Sequence, residues 1–187
     1  FIFVQYINRN KNRYNSMKRS YIFLATGFEE IEALATADVL RRAGMEVTLV
    51  SIYKDRMVTG ANGITVAADV VFDGVDYTDA GWLICPGGMP GAENLVRCEP
   101  LADLLKNHVA AGGRVAAICA APAVVLSQLG ILDGKTATCY PGFEPMLEKA
   151  GATATGHRVE RDGNIITGNG PSSAIPFALA IAAATVG

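Results

Sequence analysis

The sequence predicts a doubly wound α/β sandwich. Two observations carry that: short β-rich runs alternate with helical runs from Ser20 onward, and the residues best suited to chemistry fall just after three of those runs. A third concerns size. The chain has 187 residues, 50% of them hydrophobic and 18% charged, which suits one domain around one sizeable core.

The first unit is βαβ: YIFLAT at 21–26, the helical run 29–44, then MEVTLVSI at 45–52. Ile31, Leu34, Ala35, Val39 and Ala43 recur at helical spacing, and Gly44 stops the helix where a left-handed residue is wanted. Segment 57–70 reads as a hairpin, because Asn62-Gly63 readily takes the positive φ values of a tight turn. The alternation resumes with a strand at 81–85, a glycine-rich loop at 86–94 and a helix at 100–113. A strand at 114–119 and a helix at 121–130 follow. The last third holds a short strand at 136–140, a small helix at 144–151, a hairpin turning at Asp162-Gly163 and a closing helix over 172–186. In such a sandwich ligands meet the carboxyl ends of the parallel strands, here the loops after 21–26, 81–85 and 114–119.

Composition excludes several classes of function. The net charge is −2 and the body has no Lys/Arg block, so nucleic acid is not an expected partner. The longest apolar run, Phe177 to Val186, falls well short of the roughly 20 residues that span a bilayer, so no membrane is expected. The low charged fraction favours an oligomer, in which a second subunit covers part of the surface. Residues 1–16 place their apolar stretch before their basic one, the wrong order for a secretory signal. They read as a non-native extension before a natural start at Met17, leaving 17–187 as a single domain. Cys85, Cys98, Cys119 and Cys139 form no CxxC pair, so neither a metal site nor a disulfide framework is expected, and the cytoplasm is the default location.

Cys119 ends an apolar strand directly before a helix that carries Pro122 early, which places its thiol at a helix N-terminus. Unpaired amides there favour a thiolate and predict a lowered pKa, in the manner of a nucleophile elbow. The alternative is a buried core cysteine, since free cysteine is among the most buried residue types. Cys85, followed by Pro86, reads as core. Among Glu29, Glu30 and Glu32, ordinary helix-end charge accounts for two. If strands 21–26 and 114–119 are neighbours, the third, taken as Glu32, faces Cys119 and donates a hydrogen bond to its thiolate. The loop 86–91 is either an oxyanion or phosphate cradle or a tight turn, and it matches no dinucleotide motif. His108 and His157 read as structural or exposed, and Tyr140, next to Pro141, as a packed loop residue.

Taken together, GFEEIEALATADVLRRAG, ICPGGMPGAENL, AAICAAPAVVL and GNGPSSAIPFALAI resemble the ThiJ/PfpI superfamily in its DJ-one, or parkinsonism-associated deglycase, branch. The resemblance covers Met17 to Gly187. It implies a flavodoxin-like three-layer sandwich with a mostly parallel central sheet, of the class I glutamine amidotransferase-like kind, and a homodimer without cofactor. It implies that Cys119 is the reactive cysteine and Glu32 its protonated partner. Gly88 and Ala120 match the positions whose backbone N–H groups form the oxyanion pocket, and Pro171 and Ser172 match the loop closing one side of it. Arg42 matches an arginine beside the dimer contact that approaches the partner's site. Three departures matter: Ala120 stands where protease-like relatives carry histidine, Tyr140 where the branch often carries histidine, and Ala121 where glycine is usual.

The resemblance then implies a cofactor-independent cysteine enzyme acting on small aldehydes and dicarbonyls such as methylglyoxal, or on their adducts, of glyoxalase or deglycase type. The alternative is a redox-sensing stress protein or chaperone whose cysteine is oxidised to sulfenic and then sulfinic acid. A cysteine peptidase or amidase is the third reading, and it lacks the histidine that would activate the thiol.

Overall fold

A computed structural model describes residues 18–186. The expected extension at 1–16 lies outside them. The central sheet has seven strands: β1 (Arg19–Leu24), β2 (Val47–Ser51), β5 (Val70–Val71), β6 (Ala80–Cys85), β7 (Arg114–Ile118), β10 (Val159–Asp162) and β11 (Ile165–Gly168). Their order is β10-β11-β7-β6-β1-β2-β5, and every pairing is parallel except β10 with β11. The sheet is therefore the mostly parallel one expected, flanked by helices in a flavodoxin-like sandwich. All six residues of β6 are buried, as a strand covered on both faces requires.

Alternate strand residues feed two separate cores. Ile22, Leu24, Trp82, Ile84, Ala116, Ile118 and Ile166 pack with α1 (Glu30–Arg42) and α5 (Ala174–Val186). Tyr21, Phe23, Leu83, Cys85, Val115, Ala117 and Ile165 pack against the other helical layer. That layer comprises α2 (Gly91–Arg97), α3 (Glu99–Ala110), a π-helical stretch (Pro122–Ser127) and α4 (Glu144–Lys149). Two small ribbons complete the chain: the antiparallel pair β3 (Met57–Thr59) and β4 (Thr65–Ala67), and the parallel pair β8 (Thr136–Ala137) and β9 (Thr153–Ala154).

Several sequence expectations are corrected. The segment read as a loop over 86–94 becomes helical at Gly91, where glycine and proline disguise a turn that buries Ala92 and Leu95. The strand expected at 136–140 is ordered as strand only over Thr136–Ala137, and the closing helix begins at Ala174 after a 3₁₀ turn, Pro171–Ser173. Val70–Val71 forms an edge strand too short to show periodicity. Strands 21–26 and 114–119 are not neighbours, because β6 lies between them. The apolar stripe on α1 is not its core face. The helix buries Glu32, Ala33, Thr36, Ala37 and Leu40, and leaves Ile31 58% exposed.

Glu30, expected as helix-end charge, is instead buried and fastens the β3–β4 hairpin. Its Oε1 accepts from the Asn62 and Ile64 amides at 2.8 and 3.3 Å, and its Oε2 accepts from Asn62 Nδ2 at 2.9 Å. Glu30→Ala is expected to cost about 1–3 kcal/mol by orphaning these donors. The measurement is urea unfolding, with faster hydrogen exchange at the Asn62 and Ile64 amides.

Candidate active site

Cys119 sits on the turn between β7 and the π-helical stretch with φ at 64°, the one non-glycine residue with positive φ in the described chain. Such a conformation costs of order 1–3 kcal/mol and persists only where the surroundings impose it. Two backbone hydrogen bonds do so. The Cys119 N–H donates to Gly168 O at 2.9 Å, and the Cys119 carbonyl accepts from the Tyr140 N–H at 2.7 Å. The tight turn projects the side chain out of the strand line, the geometry of a nucleophile elbow.

Glu32 reaches this point from the first turn of α1. Its carboxyl is fully buried, and Oε2 accepts from the Gly87 N–H at 2.8 Å. Glu29 caps the helix, its Oε2 accepting from the Glu32 N–H at 2.7 Å, while the Glu29 N–H donates to Gly87 O at 2.9 Å. These three bonds close a ring through Glu29, Glu32 and Gly87. Gly87 lies at the crowded centre: a Cβ there would stand 2.6 Å from the Cys119 Cβ and 2.8 Å from Glu32 Oε2. Thus β6, the strand between β1 and β7, supplies the link that direct strand adjacency was expected to provide.

Burial pushes the Glu32 carboxyl up to about 7. The Gly87 N–H and the Cys119 thiol offset this in part, and the Glu29 charge adds to it. Its Oε1 is buried without a hydrogen-bond partner among the described residues. Burial also pushes the Cys119 thiol up to about 12, and the Glu32 charge adds to that rise, while the Gly88 and Ala120 N–H groups pull the other way. The lowered thiol pKa expected from a helix N-terminus is therefore overturned by desolvation and a neighbouring carboxylate. The two groups titrate as a pair. Near neutral pH the Glu32 carboxyl gains and loses its proton while the Cys119 thiol keeps its own. Among the described residues, no cluster of three or more His, Cys, Asp or Glu is placed to hold a metal ion.

Comparison with known proteins shows the family. The sequence profile of the DJ-1/PfpI family matches residues 18–184. The chain belongs to the DJ-1/PfpI family. It is 40% identical over 167 residues to protein DJ-1 homolog B of Arabidopsis thaliana, an alignment covering 89% of this chain and 38% of that protein. The chain thus spans about two fifths of the length of that relative. It is 35% identical over 153 residues to the glutathione-independent glyoxalase DJR-1.2 of Caenorhabditis elegans, covering 82% of this chain and 80% of that one. The solved structure of oxidized Toxoplasma gondii DJ-1 superposes with a TM-score of 0.83 at 40% identity, covering 88% of each chain.

In this DJ-1/PfpI chain the remaining expected residues divide. At Gly88, φ 86°, a Cβ would stand 2.5 Å from Glu29 N and Gly27 O, and the N–H groups of Gly88 and Ala120 act on the Cys119 sulfur. Pro171 and Ser172 form the turn after Gly170. The absent Gly170 side chain leaves room for the Tyr140 ring, 3.2 Å from where a Cβ would lie, so this turn flanks the elbow. Arg158 Nη2 steadies the turn by donating to Ser172 O at 2.7 Å. Tyr140 is 45% exposed rather than packed. Arg42 is not part of the pocket of its own chain; it is exposed at the far end of α1 and pairs with Asp38 at 2.8 Å. Cys85 is core, its thiol raised to about 12 by burial. Sequence reasoning missed Gly87 as the close-approach residue and Glu29 as the cap. The adjacent Gly87-Gly88 pair at a strand end was the available signal.

Gly87→Ala forces Cys119 and Glu32 apart. Urea unfolding is expected to show a loss of about 1–3 kcal/mol, with reactivity at Cys119 down about 10²-fold. Glu32 also gives a signed pH dependence. Its carboxyl titrates near 7 when folded against an ordinary 4.5, so the native state binds the extra proton and stability falls as pH rises between those values. The loss approaches about 3 kcal/mol. Unfolding free energies across that window should slope downward in the wild type and lie flat in Glu32→Gln.

Proposed function

We propose that the chain is a cofactor-independent cysteine enzyme of glyoxalase or deglycase type, converting methylglyoxal and related dicarbonyls, or their adducts, without glutathione. The observation that carries this reading is the pairing of a strained elbow thiol with a buried carboxyl titrating near neutral pH, beneath two backbone N–H donors. A group that titrates near working pH is suited to both taking and giving a proton. The glyoxalase name of the Caenorhabditis relative supports the same chemistry.

In this mechanism Glu32 takes the thiol proton as the Cys119 sulfur attacks the aldehyde carbon of methylglyoxal. The resulting hemithioacetal oxygen lies under the Gly88 and Ala120 N–H groups. Glu32 gives that proton to the hemithioacetal oxygen. Its carboxylate then removes the hydrogen from that carbon and returns it to the neighbouring ketone-derived carbon, while the hydroxyl proton passes to the ketone oxygen. The first carbon reaches the acyl level as the second becomes an alcohol, so no external oxidant or reductant is used. Water hydrolyses the resulting thioester, releasing lactate and the thiol.

The enzyme is proposed as a homodimer in the cytoplasm. Ile31 and Leu34 on α1, Ile64 on the hairpin, and Ile175 and Leu179 on α5 are exposed apolar side chains, and α1 packs beside α5. They supply a surface for a second copy. No helix in the described residues is long and apolar enough to cross a membrane, and the four free cysteines suit a reducing compartment. A second reading, a redox-responsive protein, is favoured by the same two N–H groups, which would hold the oxygens of a sulfinate on Cys119. A peptidase is not proposed, because Ala120 stands where the activating histidine would be needed.

Purified wild type and Cys119→Ser, incubated with methylglyoxal and no glutathione, separate the readings. Lactate accumulating over many equivalents of enzyme in the wild type alone is the expected result. Consumption of about one equivalent, with a stable mass added at Cys119, overturns the enzyme reading and supports the redox one.

A further inference from the structure

We propose that Glu29 is a positioning residue for the reactive pair: through the ring it forms with Glu32 and Gly87, it fixes where the Glu32 carboxyl sits and holds the proton on it. The ring is closed by a hydrogen bond on every side: Glu32 N–H to Glu29 Oε2 at 2.7 Å, Glu29 N–H to Gly87 O at 2.9 Å, and Gly87 N–H to Glu32 Oε2 at 2.8 Å. An ordinary helix cap satisfies one amide of the first turn. This cap does more, because the amide it satisfies belongs to the acid, and its own amide holds the loop that contacts that acid. The Glu29 N–H bond to Gly87 O also seats the next residue, Gly88, where a Cβ would stand 2.5 Å from Glu29 N and Gly27 O, so a shift of Glu29 moves the N–H donor to the Cys119 sulfur.

The choice of an acid at this cap is the telling feature. Serine, threonine or asparagine caps a helix as well, yet an anionic side chain here places a second negative charge beside a carboxyl already buried. That charge opposes ionisation of Glu32 and keeps the shared proton on the carboxyl rather than lost to solvent. Other charges do not substitute for it. Glu30 turns its carboxylate to the hairpin, and neither that hairpin, Met57–Ala67, nor the β1–α1 turn, 25–28, carries another titratable side chain. Helix α5 has no titratable residue, and on α2 Glu93 and Arg97 pair with each other at 3.3 Å. The end of β6 contributes the neutral, buried Cys85, and β7 leads to Cys119 itself. The loop that holds the Cys119 carbonyl carries Tyr140 and Glu144, and Glu144 turns its carboxylate to the Gly142 N–H; within one subunit's described residues Glu29 is therefore the anion that bears on Glu32.

The proposal takes Glu32 to be the acid partner of Cys119, as the proposed function does, but it does not depend on the substrate. It is tested without turnover, by the rate of iodoacetamide alkylation at Cys119, followed across pH by mass spectrometry of the peptide that carries it. In the wild type the rate shows an inflection near neutral pH as Glu32 ionises, separate from the thiol's own rise at higher pH, and in Glu32→Gln the neutral inflection disappears. Glu29→Gln keeps an oxygen acceptor for the Glu32 amide and removes the charge. Its inflection is expected to move to lower pH by about half a unit or more, with a folded far-ultraviolet spectrum. Glu29→Ala removes both acceptor and charge and is expected to lower the alkylation rate across the range.

An inflection that vanishes in Glu32→Gln but stays at the wild-type pH in Glu29→Gln overturns the proposal and leaves Glu29 a plain helix cap, even if the melting temperature falls. A neutral-pH inflection that survives Glu32→Gln instead overturns the assignment of Glu32 as the acid, and the proposal with it. Absence of lactate formation leaves this measurement intact, so failure of the proposed activity and failure of the positioning role give different results.

Discussion

A buried carboxyl within reach of a thiol is an expensive arrangement, and the fold of this protein is organised around tolerating it. Glu32 loses its water on entering the sandwich, and the compensation comes from one backbone N–H, that of Gly87, supplied by a loop that itself must pass close to Cys119. Only glycine permits that passage, because any Cβ would overlap both reacting groups. The strain at Cys119 is then held by bonds from two further segments, the end of β11 and the loop at Tyr140. Four stretches of chain far apart in sequence therefore converge on one thiol. That convergence is possible because parallel strands deliver all their carboxyl ends to the same edge of the sheet.

The electrostatics follow from this burial rather than from the helix that starts after Cys119. A helix N-terminus favours a thiolate in an open, solvated setting. Here desolvation acts first on both groups; the Glu32 charge further disfavours a thiolate, whereas the thiol favours the carboxylate, so the proton that leaves first is the one on Glu32. The same fact links stability and reactivity. The proton that makes Glu32 useful near neutral pH is also the proton that the native state prefers to keep.

Helix α1 shows how one element serves two masters. Its buried face, Ala33, Ala37 and Leu40, is built of small or slender side chains that let the helix lie close to the sheet and bring Glu32 down to the strand ends. Its larger apolar residues, Ile31 and Leu34, point outward instead. Glu29, Glu30 and Glu32, three acids within four positions, have three separate tasks: a cap, a tether for the hairpin and the proton-bearing partner of the cysteine.

The sequence by itself determined the class of fold, because alternating β-rich and helical runs leave a chain of this size few ways to bury two cores. It also narrowed Cys119 to an elbow or a core cysteine, since an apolar strand ending in Cys with Pro three residues on marks a turn into a helix, and the positive φ of the folded chain decided for the elbow. Glu32 was legible by its motif, and Gly88 and Ala120 by theirs, whereas Gly87 was hidden among similar glycines. Tertiary structure alone decided which face of α1 was the core, since Ile31 and Leu34 carry the stronger apolar signal yet face outward. It alone placed β6 between β1 and β7 and so made Gly87 the link. It alone set the proton affinities of Cys119 and Glu32. Local pattern records which residues are apolar and where a chain turns; the loss of water around a carboxyl depends on segments that meet only after folding, and no run of neighbours along the chain encodes it.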